Sequence, residues 1–257
     1  MLQKSDFPIL EFDDDKSAMI RPENFNKPAD TSAERCVLCF FDKAIEKILA
    51  EFPHKIIAWF GYEGVKLPVY EIEYKGSHIA LVQASVGAPL AAGQVEEMCG
   101  YGFRKLIVCG SCGVLQKDIQ AGHVIIPTSA VRDEGTSYHY AAPSREIEAD
   151  PRAVEAIEKT LKSGNIPYIK AKTWTTDALY RETTAKIQRR REEGCVAVEM
   201  EASAYMAAAR FNGAVLGQIL YAGDNLDAEE WDARGLFDRA DVRESLLRVV
   251  MDACLSL

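Results

Sequence analysis

The sequence predicts a single α/β domain with a mostly parallel or mixed central sheet that helices cover on both faces. Apolar runs typical of buried strands alternate with amphipathic helical segments along most of the chain. The runs at residues 105–110, 195–200 and 214–224 are almost entirely apolar, as expected for strands in the middle of a covered sheet. The 257 residues, 48% of them hydrophobic, suffice for one large domain, and no repeat or linker divides them.

The N-terminal segment differs from the rest of the chain. Residues 1–30 are polar, contain three prolines and carry three consecutive aspartates at 13–15. This composition predicts an extended arm that lies on a domain of residues 31–257. Thr31 and Glu34 then have the spacing of a capping box, so an amphipathic helix is expected from there to about residue 51.

The remaining elements follow from apolar periodicity and from prolines and glycines at element ends. Pro151 and Gly164, for example, mark the two ends of one helix. Strands are expected at residues 55–60, 65–74, 78–86, 105–110, 123–135, 168–176, 195–200 and 214–224. Helices are expected at residues 90–101, 150–164, 181–194, 201–213 and 240–257.

The composition narrows the range of partners. A formal net charge of −9 repels phosphate backbones, so we expect no nucleic-acid partner. No apolar run is long enough to span a membrane, and the N-terminus is not a signal peptide, which predicts a cytoplasmic protein with no membrane partner. The seven cysteines are expected to be reduced thiols, and neither their spacing nor that of the four histidines predicts a metal site.

Five predicted strands end in polar or aromatic residues, at the edge of the sheet where α/β proteins bind ligands. Gly110 and Ser111 offer close backbone approach and a hydroxyl, Trp174 a flat ring, and Asp224 a carboxylate. The loop of residues 132–139 is dense in hydrogen-bonding groups. Each feature also has a structural explanation: a tight turn, a core tryptophan, a turn aspartate or a salt-bridged surface loop.

The remaining strand end, at residues 199–201, carries two carboxylates. Glu199 and Glu201 flank Met200 between a buried strand and an alanine-rich helix, where unpaired carboxylates are costly to bury. Helix capping explains one carboxylate but not both. A second one could accept hydrogen bonds from two vicinal hydroxyls, as in ribose recognition, with Met200 as an apolar floor under the sugar.

These segments together resemble the nucleoside phosphorylase superfamily, which includes purine nucleoside phosphorylases, uridine phosphorylases and related nucleosidases. The resemblance covers roughly residues 55–255 and rests on "GSCGVL", "VRDEGTSYHY", "TWTTDALY", "VEMEASAYMAAA" and "YAGDN", in the family's order and approximate spacing. It implies a mixed, barrel-like central sheet flanked by helices and a homo-oligomer, either a dimer or a trimer of dimers. It also implies a pentosyltransferase that uses phosphate as co-substrate and needs no cofactor.

The resemblance also implies residue roles. Glu201 would bind the ribose hydroxyls, Trp174 would lie beside the base and Ser111 would contact phosphate. Asp224 would protonate a purine base at N7, which requires a carboxylic acid near neutral pH, and Arg234 would pair with it. The expected substrate-binding set is Gly110, Ser111, Arg132, His139, Trp174, Glu199, Met200 and Glu201.

Two features depart from the family pattern. The N-terminal G-D-P-x-R-like loop is missing, with Phe40 and Phe41 where its glycine should be, and Val108-Cys109 replaces the arginine expected before the G-S turn. Four arginines could substitute: Arg21, Arg35, Arg132 and Arg181. The alternatives to purine phosphorolysis are therefore a nucleosidase that uses water, a uridine phosphorylase-like enzyme, and a non-catalytic nucleoside-binding protein.

Overall fold

A computed structural model describes residues 2, 4–235 and 238–257 of the chain. Its strands are β1 (Arg35–Cys39), β2 (His54–Tyr62), β3 (Val65–Tyr74), β4 (Ser77–Gln83), β5 (Lys105–Val114), β6 (Val124–Asp133), β7 (Glu146–Glu148), β8 (Tyr168–Thr176), β9 (Cys195–Glu199) and β10 (Val215–Asn225). Its α-helices are α1 (Asp42–Glu51), α2 (Ala88–Gly100), α3 (Pro151–Ser163), α4 (Thr184–Glu192), α5 (Ala202–Phe211) and α6 (Ala240–Ser256).

The sheet closes on itself at one end and stays open at the other. Its strand order is β10-β6-β8-β9-β5-β1-β4-β3-β2, and an additional pairing of β10 with β5 closes the first five strands into a barrel. Parallel pairs (β5–β10, β6–β8, β8–β9) and antiparallel pairs (β5–β9, β6–β10) both occur in that barrel. The predicted α/β class with a mixed, barrel-like sheet is confirmed.

Helices cover both faces of the sheet, as the all-apolar strands required. One apolar cluster packs α2 and α5 onto the sheet and includes Val95, Leu106 and Tyr205. A second packs α1, α3 and α6 onto the opposite face. A third cluster fills the barrel with side chains of the five barrel strands, such as Val114 and Leu220.

The prediction of one helix from about residue 31 to residue 51 was wrong at its beginning. Residues 35–39 form β1, which lies between β4 and β5 and is parallel to both, and the helix begins only at Asp42. The Thr31 hydroxyl binds the Glu71 carboxylate and accepts the Ala33 N–H at 3.0 Å, so it caps no helix. A short apolar run that is buried on both sides has no periodicity to distinguish strand from helix.

The other predicted elements are found within a few residues of their expected bounds, and among the strands in the described part of the chain after β1 the sequence missed only the short β7. Strand β5 is longer than expected, since it continues to Val114, so Gly110 and Ser111 lie within the strand and not in a turn after it. The seven cysteines are all buried free thiols. None of the described helices is long and apolar enough to cross a membrane.

The segment before β1 contains two short 3-10 turns, Pro8–Leu10 and Pro22–Asn24. It contacts the domain through Ala29, whose N–H donates to the Tyr101 carbonyl at 3.1 Å. The division into an arm of residues 1–30 and a domain of residues 31–257 stays a prediction.

Gly217 allows α3 to pack directly on β10. A Cβ at this position would lie 2.8 Å from both Ala153 Cβ and Ile157 Cδ1. Gly217→Ala should therefore lower the free energy of unfolding by roughly 1–3 kcal/mol, measured by urea denaturation. Gly93→Ala in α2 is the control, because a Cβ there meets nothing within 4 Å. An equal loss in both variants would contradict the packing explanation.

Candidate active site

A cavity of about 330 Å³ opens where several strands reach their carboxyl ends. The connection after β9, the ends of β5 and β10, and the segments after β1 and β8 all contribute lining residues. Its lining residues are Phe40, Phe41, Asp42, Val86, Ser111, Cys112, Gly113, Leu179, Glu182, Val198, Glu199, Met200, Glu201, Leu220, Asp224 and Arg243.

Glu199 is the carboxylate that caps a helix. Its Oε2 accepts the N–H groups of Glu201 at 2.8 Å and Ala202 at 2.6 Å, at the start of α5. Its Oε1 accepts the Thr175 hydroxyl at 2.7 Å and the Thr173 hydroxyl at 3.4 Å, both from β8. Burial raises the pKa of Glu199, and these hydrogen bonds oppose that rise. This side chain therefore ties β8, β9 and α5 together.

Glu201 lines the cavity, and most of the hydrogen-bond acceptor sites of its carboxylate are available to a ligand. Its Oε1 accepts the Gly87 N–H at 2.7 Å, and the φ of 96° at position 87 is one that glycine adopts without strain. The side chain is only 6% exposed, and burial, together with the charge of Glu199, raises its pKa. A carboxylate held in this way can accept two further hydrogen bonds from a ligand.

Asp224 lies on another wall of the same cavity. Its Oδ2 accepts the indole N–H of Trp231 at 2.7 Å. Glu182 also lines the cavity, and burial, with the charge of Asp224, raises its pKa to about 7. The two acidic groups therefore share one end of the cavity.

Ser111 lies on the side of the cavity formed by the end of β1. The aromatic side chains of Phe40 and Phe41 occupy this end, and the Arg243 guanidinium lies over the Phe41 ring, 5.4 Å from its centroid. A Cβ at position 110 would lie 3.0 Å from the Phe40 ring, so Gly110 makes room for that ring and does not itself line the cavity.

Trp174 and Arg234, which the family resemblance places at the site, do not line the cavity. Trp174 is fully buried, and its indole N–H donates to Asp133 Oδ2 at 3.0 Å, so it presents no face to a ligand in this cavity. Arg234 donates to the carbonyl of Ile119 at 2.5 Å and pairs with Asp232 at 3.5 Å. The partner of Asp224 is therefore the Trp231 indole and not Arg234.

The loop of residues 132–139 is a structural network. Arg132 is 4% exposed and donates to the Ser137 hydroxyl at 2.8 Å and to the carbonyls of Ala141 and Ala142. His139 is exposed and lies outside the cavity lining. Since the loop's own groups satisfy Arg132, the expected substrate contacts of these two residues have no support in this geometry.

Sequence reasoning missed three charged residues that line the cavity, Asp42, Glu182 and Arg243, and also Trp231, which donates to Asp224. Glu182 lies at the start of a predicted helix and Arg243 in an amphipathic C-terminal helix, where charged residues are ordinarily solvent-facing. No local sequence pattern distinguishes Glu182 and Arg243 from surface residues. They reach the cavity only when the chain folds.

Glu182 should make stability depend on pH. A carboxyl group whose pKa rises from 4.5 in the unfolded chain to about 7 in the folded one destabilises the fold increasingly as pH rises across that interval. Glu182→Gln should thus unfold at a higher temperature than the parent at pH 8, with a gain on the order of 1 kcal/mol after allowance for solvent screening, and should lose most of that gain at pH 4.5. Calorimetry at both pH values measures the difference.

The control is Glu192→Gln, since Glu192 is exposed on α4 and its pairing with Arg189 is a surface ion pair at 3.7 Å. A stability difference for Glu182→Gln that is the same at both pH values would contradict the assigned titration.

Comparison with known proteins identifies the family of the chain. The family model described as the phosphorylase superfamily matches residues 34–255. The chain is 28% identical over 196 residues to a guanosine phosphorylase of Halorubrum lacusprofundi, covering 74% of this chain and 80% of the relative. It is 30% identical over 192 residues to a DeoD-type purine nucleoside phosphorylase of Brevibacillus brevis, covering 71% of this chain and 77% of the relative.

Two solved structures share the fold. The structure of uridine phosphorylase from Vibrio fischeri ES114 has a TM-score of 0.73 and 24% identity, covering 91% of this chain and 92% of that one. The structure of purine nucleoside phosphorylase from Toxoplasma gondii has a TM-score of 0.73 and 20% identity, covering 86% and 90%. With the family model matched along most of its length, the chain belongs to the phosphorylase superfamily.

Proposed function

We propose that this protein cleaves the N-glycosidic bond of a purine nucleoside with phosphate, giving the free base and ribose 1-phosphate. The observation that carries the proposal is that one cavity contains Glu201, Ser111 and Asp224. A sugar-binding carboxylate, a hydroxyl for phosphate and an acid for the base are the three groups this reaction needs. The family membership and the names of the two sequence relatives support the same reaction.

Glu201 binds the ribose. Its carboxylate accepts hydrogen bonds from the 2′- and 3′-hydroxyls, while Gly87 N–H fixes its orientation and Met200 provides apolar contact under the sugar. The reaction builds positive charge on the ribose ring, and a carboxylate beside the ring stabilises that charge. Holding the sugar in one position lets small displacements complete the transfer.

Asp224 protonates the departing base. A phosphate oxygen forms a bond to C1′ while the C1′–N9 bond breaks, the electron pair leaves with the base, and the proton of Asp224 passes to N7. Burial and the charge of Asp224 raise the pKa of Glu182 to about 7, so a proton is retained at this end of the cavity more readily than on exposed carboxylates. A pyrimidine has no N7, which is why Asp224 favours a purine substrate.

Hydrolysis is the second candidate, and a specific feature favours it. Phe40 and Phe41 occupy the end of β1, and they supply neither the flexible backbone nor the charge of a glycine-rich phosphate loop. Phosphorolysis requires another anchor for the phosphate. Without one, water would be the acceptor and free ribose the product.

The experiment that tests the function is product analysis with inosine, guanosine, adenosine and uridine, each with and without phosphate. We expect ribose 1-phosphate from purine nucleosides only when phosphate is present. Free ribose without phosphate would show hydrolysis, and cleavage of uridine alone would show pyrimidine specificity. Binding without cleavage would show a nucleoside-binding protein. The expected homo-oligomer and cytoplasmic localisation stay predictions.

The two neighbouring carboxylates should have separable roles. Glu201→Gln should reduce kcat/KM by roughly 100-fold, since it weakens two charge-assisted hydrogen bonds, while its melting temperature stays or rises because a buried charge is gone. Glu199→Gln should lower the free energy of unfolding by about 1–3 kcal/mol, because an amide has one acceptor oxygen and cannot accept both the N–H groups at the start of α5 and the threonine hydroxyls of β8. Steady-state kinetics and thermal unfolding of both variants measure these effects. A larger loss of stability in Glu201→Gln and a larger loss of kcat/KM in Glu199→Gln would contradict the assigned roles.

Asp224→Asn should reduce kcat for purine nucleosides by about 100- to 10,000-fold, the usual contribution of a general acid, with little change in substrate Kd. The amide oxygen can still accept the Trp231 indole N–H, so the loop should keep its structure. Asp232→Asn in the same loop is the matched control and should retain activity. Equal losses of binding and turnover at position 224 would argue against proton donation.

A further inference from the structure

A phosphate dianion that enters the cavity meets a strongly acidic lining. Five lining side chains are carboxylic acids: Asp42, Glu182, Glu199, Glu201 and Asp224. Within the described residues, Arg243 is the one lysine or arginine among the lining residues. Since like charges repel an anion in a cavity of low dielectric, a phosphate site here depends on that guanidinium.

The guanidinium of Arg243 is held in place by its neighbours on the sheet. Its Nε donates to the Tyr221 hydroxyl at 3.0 Å, and its Cζ lies over the Phe41 ring, 5.4 Å from the ring centroid. Phe41 in turn packs on Tyr221, with ring centroids 5.7 Å apart. A guanidinium that is oriented in advance loses less side-chain entropy when it binds an oxyanion.

The strand register pairs Ser111 with Tyr221, the residue whose hydroxyl accepts the Arg243 Nε–H. Tyr221 of β10 and Ser111 of β5 are direct partners in a parallel pair, so their side chains project from the same face of the sheet. Arg243 contacts the first and lines the same cavity as the second. Ser111, whose hydroxyl is the expected phosphate ligand, and the Arg243 guanidinium therefore line the same cavity near the end of β1.

Helix stability does not explain why an arginine is found at position 243. It lies in the first turn of α6, where the positive end of the helix dipole disfavours a basic side chain and favours a bound anion. The four arginines considered from the sequence do not line the cavity. Among them, Arg132 is held by its own loop.

We propose that Arg243, reaching in from the C-terminal helix, binds the phosphate co-substrate together with Ser111 and replaces the missing N-terminal phosphate loop. The proposal rests on the function proposed above. It changes the origin of the phosphate site, because the anchor comes from α6 and not from the segment that follows β1. The aromatic residues at the end of β1 then orient the guanidinium in place of binding the anion.

The test is the steady-state kinetics of the full chain and of Arg243→Gln, Arg243→Lys and Arg248→Gln. The phosphate KM is measured at saturating nucleoside, and the nucleoside KM at saturating phosphate. Arg248→Gln is the matched control, because Arg248 lies on the same helix and pairs with Glu51 at 2.6 Å and Glu244 at 3.0 Å outside the cavity lining.

We expect Arg243→Gln to raise the phosphate KM by roughly 10- to 100-fold, the usual effect of losing a charge-assisted hydrogen bond, with the nucleoside KM within about threefold. Arg243→Lys should lie between the parent and the glutamine variant, because it keeps the charge and loses the fork. Calorimetric titration with inorganic phosphate alone should show the same order of affinities.

An unchanged phosphate KM in Arg243→Gln, or an equal rise in Arg248→Gln, would overturn the assignment of Arg243 while phosphorolysis by the parent protein still stood. Absence of phosphate-dependent cleavage by the parent protein would instead overturn the proposed function. Thermal unfolding of each variant identifies misfolding, and if the glutamine variant fails to fold, the lysine variant still decides between a raised and an unchanged phosphate KM.

Discussion

The structure depends on the way the chain accommodates two carboxylates at the junction of β9 and α5. Glu199 satisfies four donors from β8 and from the start of α5, which fixes the strand, the helix and the connection between them. That fixed connection presents Met200 and Glu201 to the cavity. Burying the second carboxylate is possible because Gly87 donates to it and because a ligand can complete its hydrogen bonding.

The acidic groups that suit the cavity to catalysis also lower the stability of the fold. Burial raises the pKa of Glu201 and of Glu182, so each costs folding free energy when it ionises. A substrate that donates hydrogen bonds and brings its own charge distribution would recover part of that cost. Strained or unfavourable groups that gather at one set of strand ends are typical of sites selected for chemistry.

The two ends of the cavity differ in chemistry. Asp224 and Glu182 make one end suited to proton transfer, whereas Phe41, Tyr221 and Arg243 form an aromatic-guanidinium stack near the other wall. The arrangement of an acid at one side and a cation at the other matches a reaction in which a base leaves and an anion attacks. The proposed role of Arg243 is one way for phosphate to bind without the usual glycine-rich loop.

The sequence by itself determined the alternation of strands and helices, the strand-end positions of Glu201 and Asp224, and the family resemblance, because apolar periodicity and element ends are local signals. It did not distinguish β1 from a helix, because the apolar run within this five-residue strand is too short to show a periodicity. Tertiary structure alone decided which glutamate caps α5, that Trp174 is buried against Asp133, and that Arg243 reaches the cavity. Each of these depends on contacts between segments far apart in the chain, which neither spacing nor composition encodes.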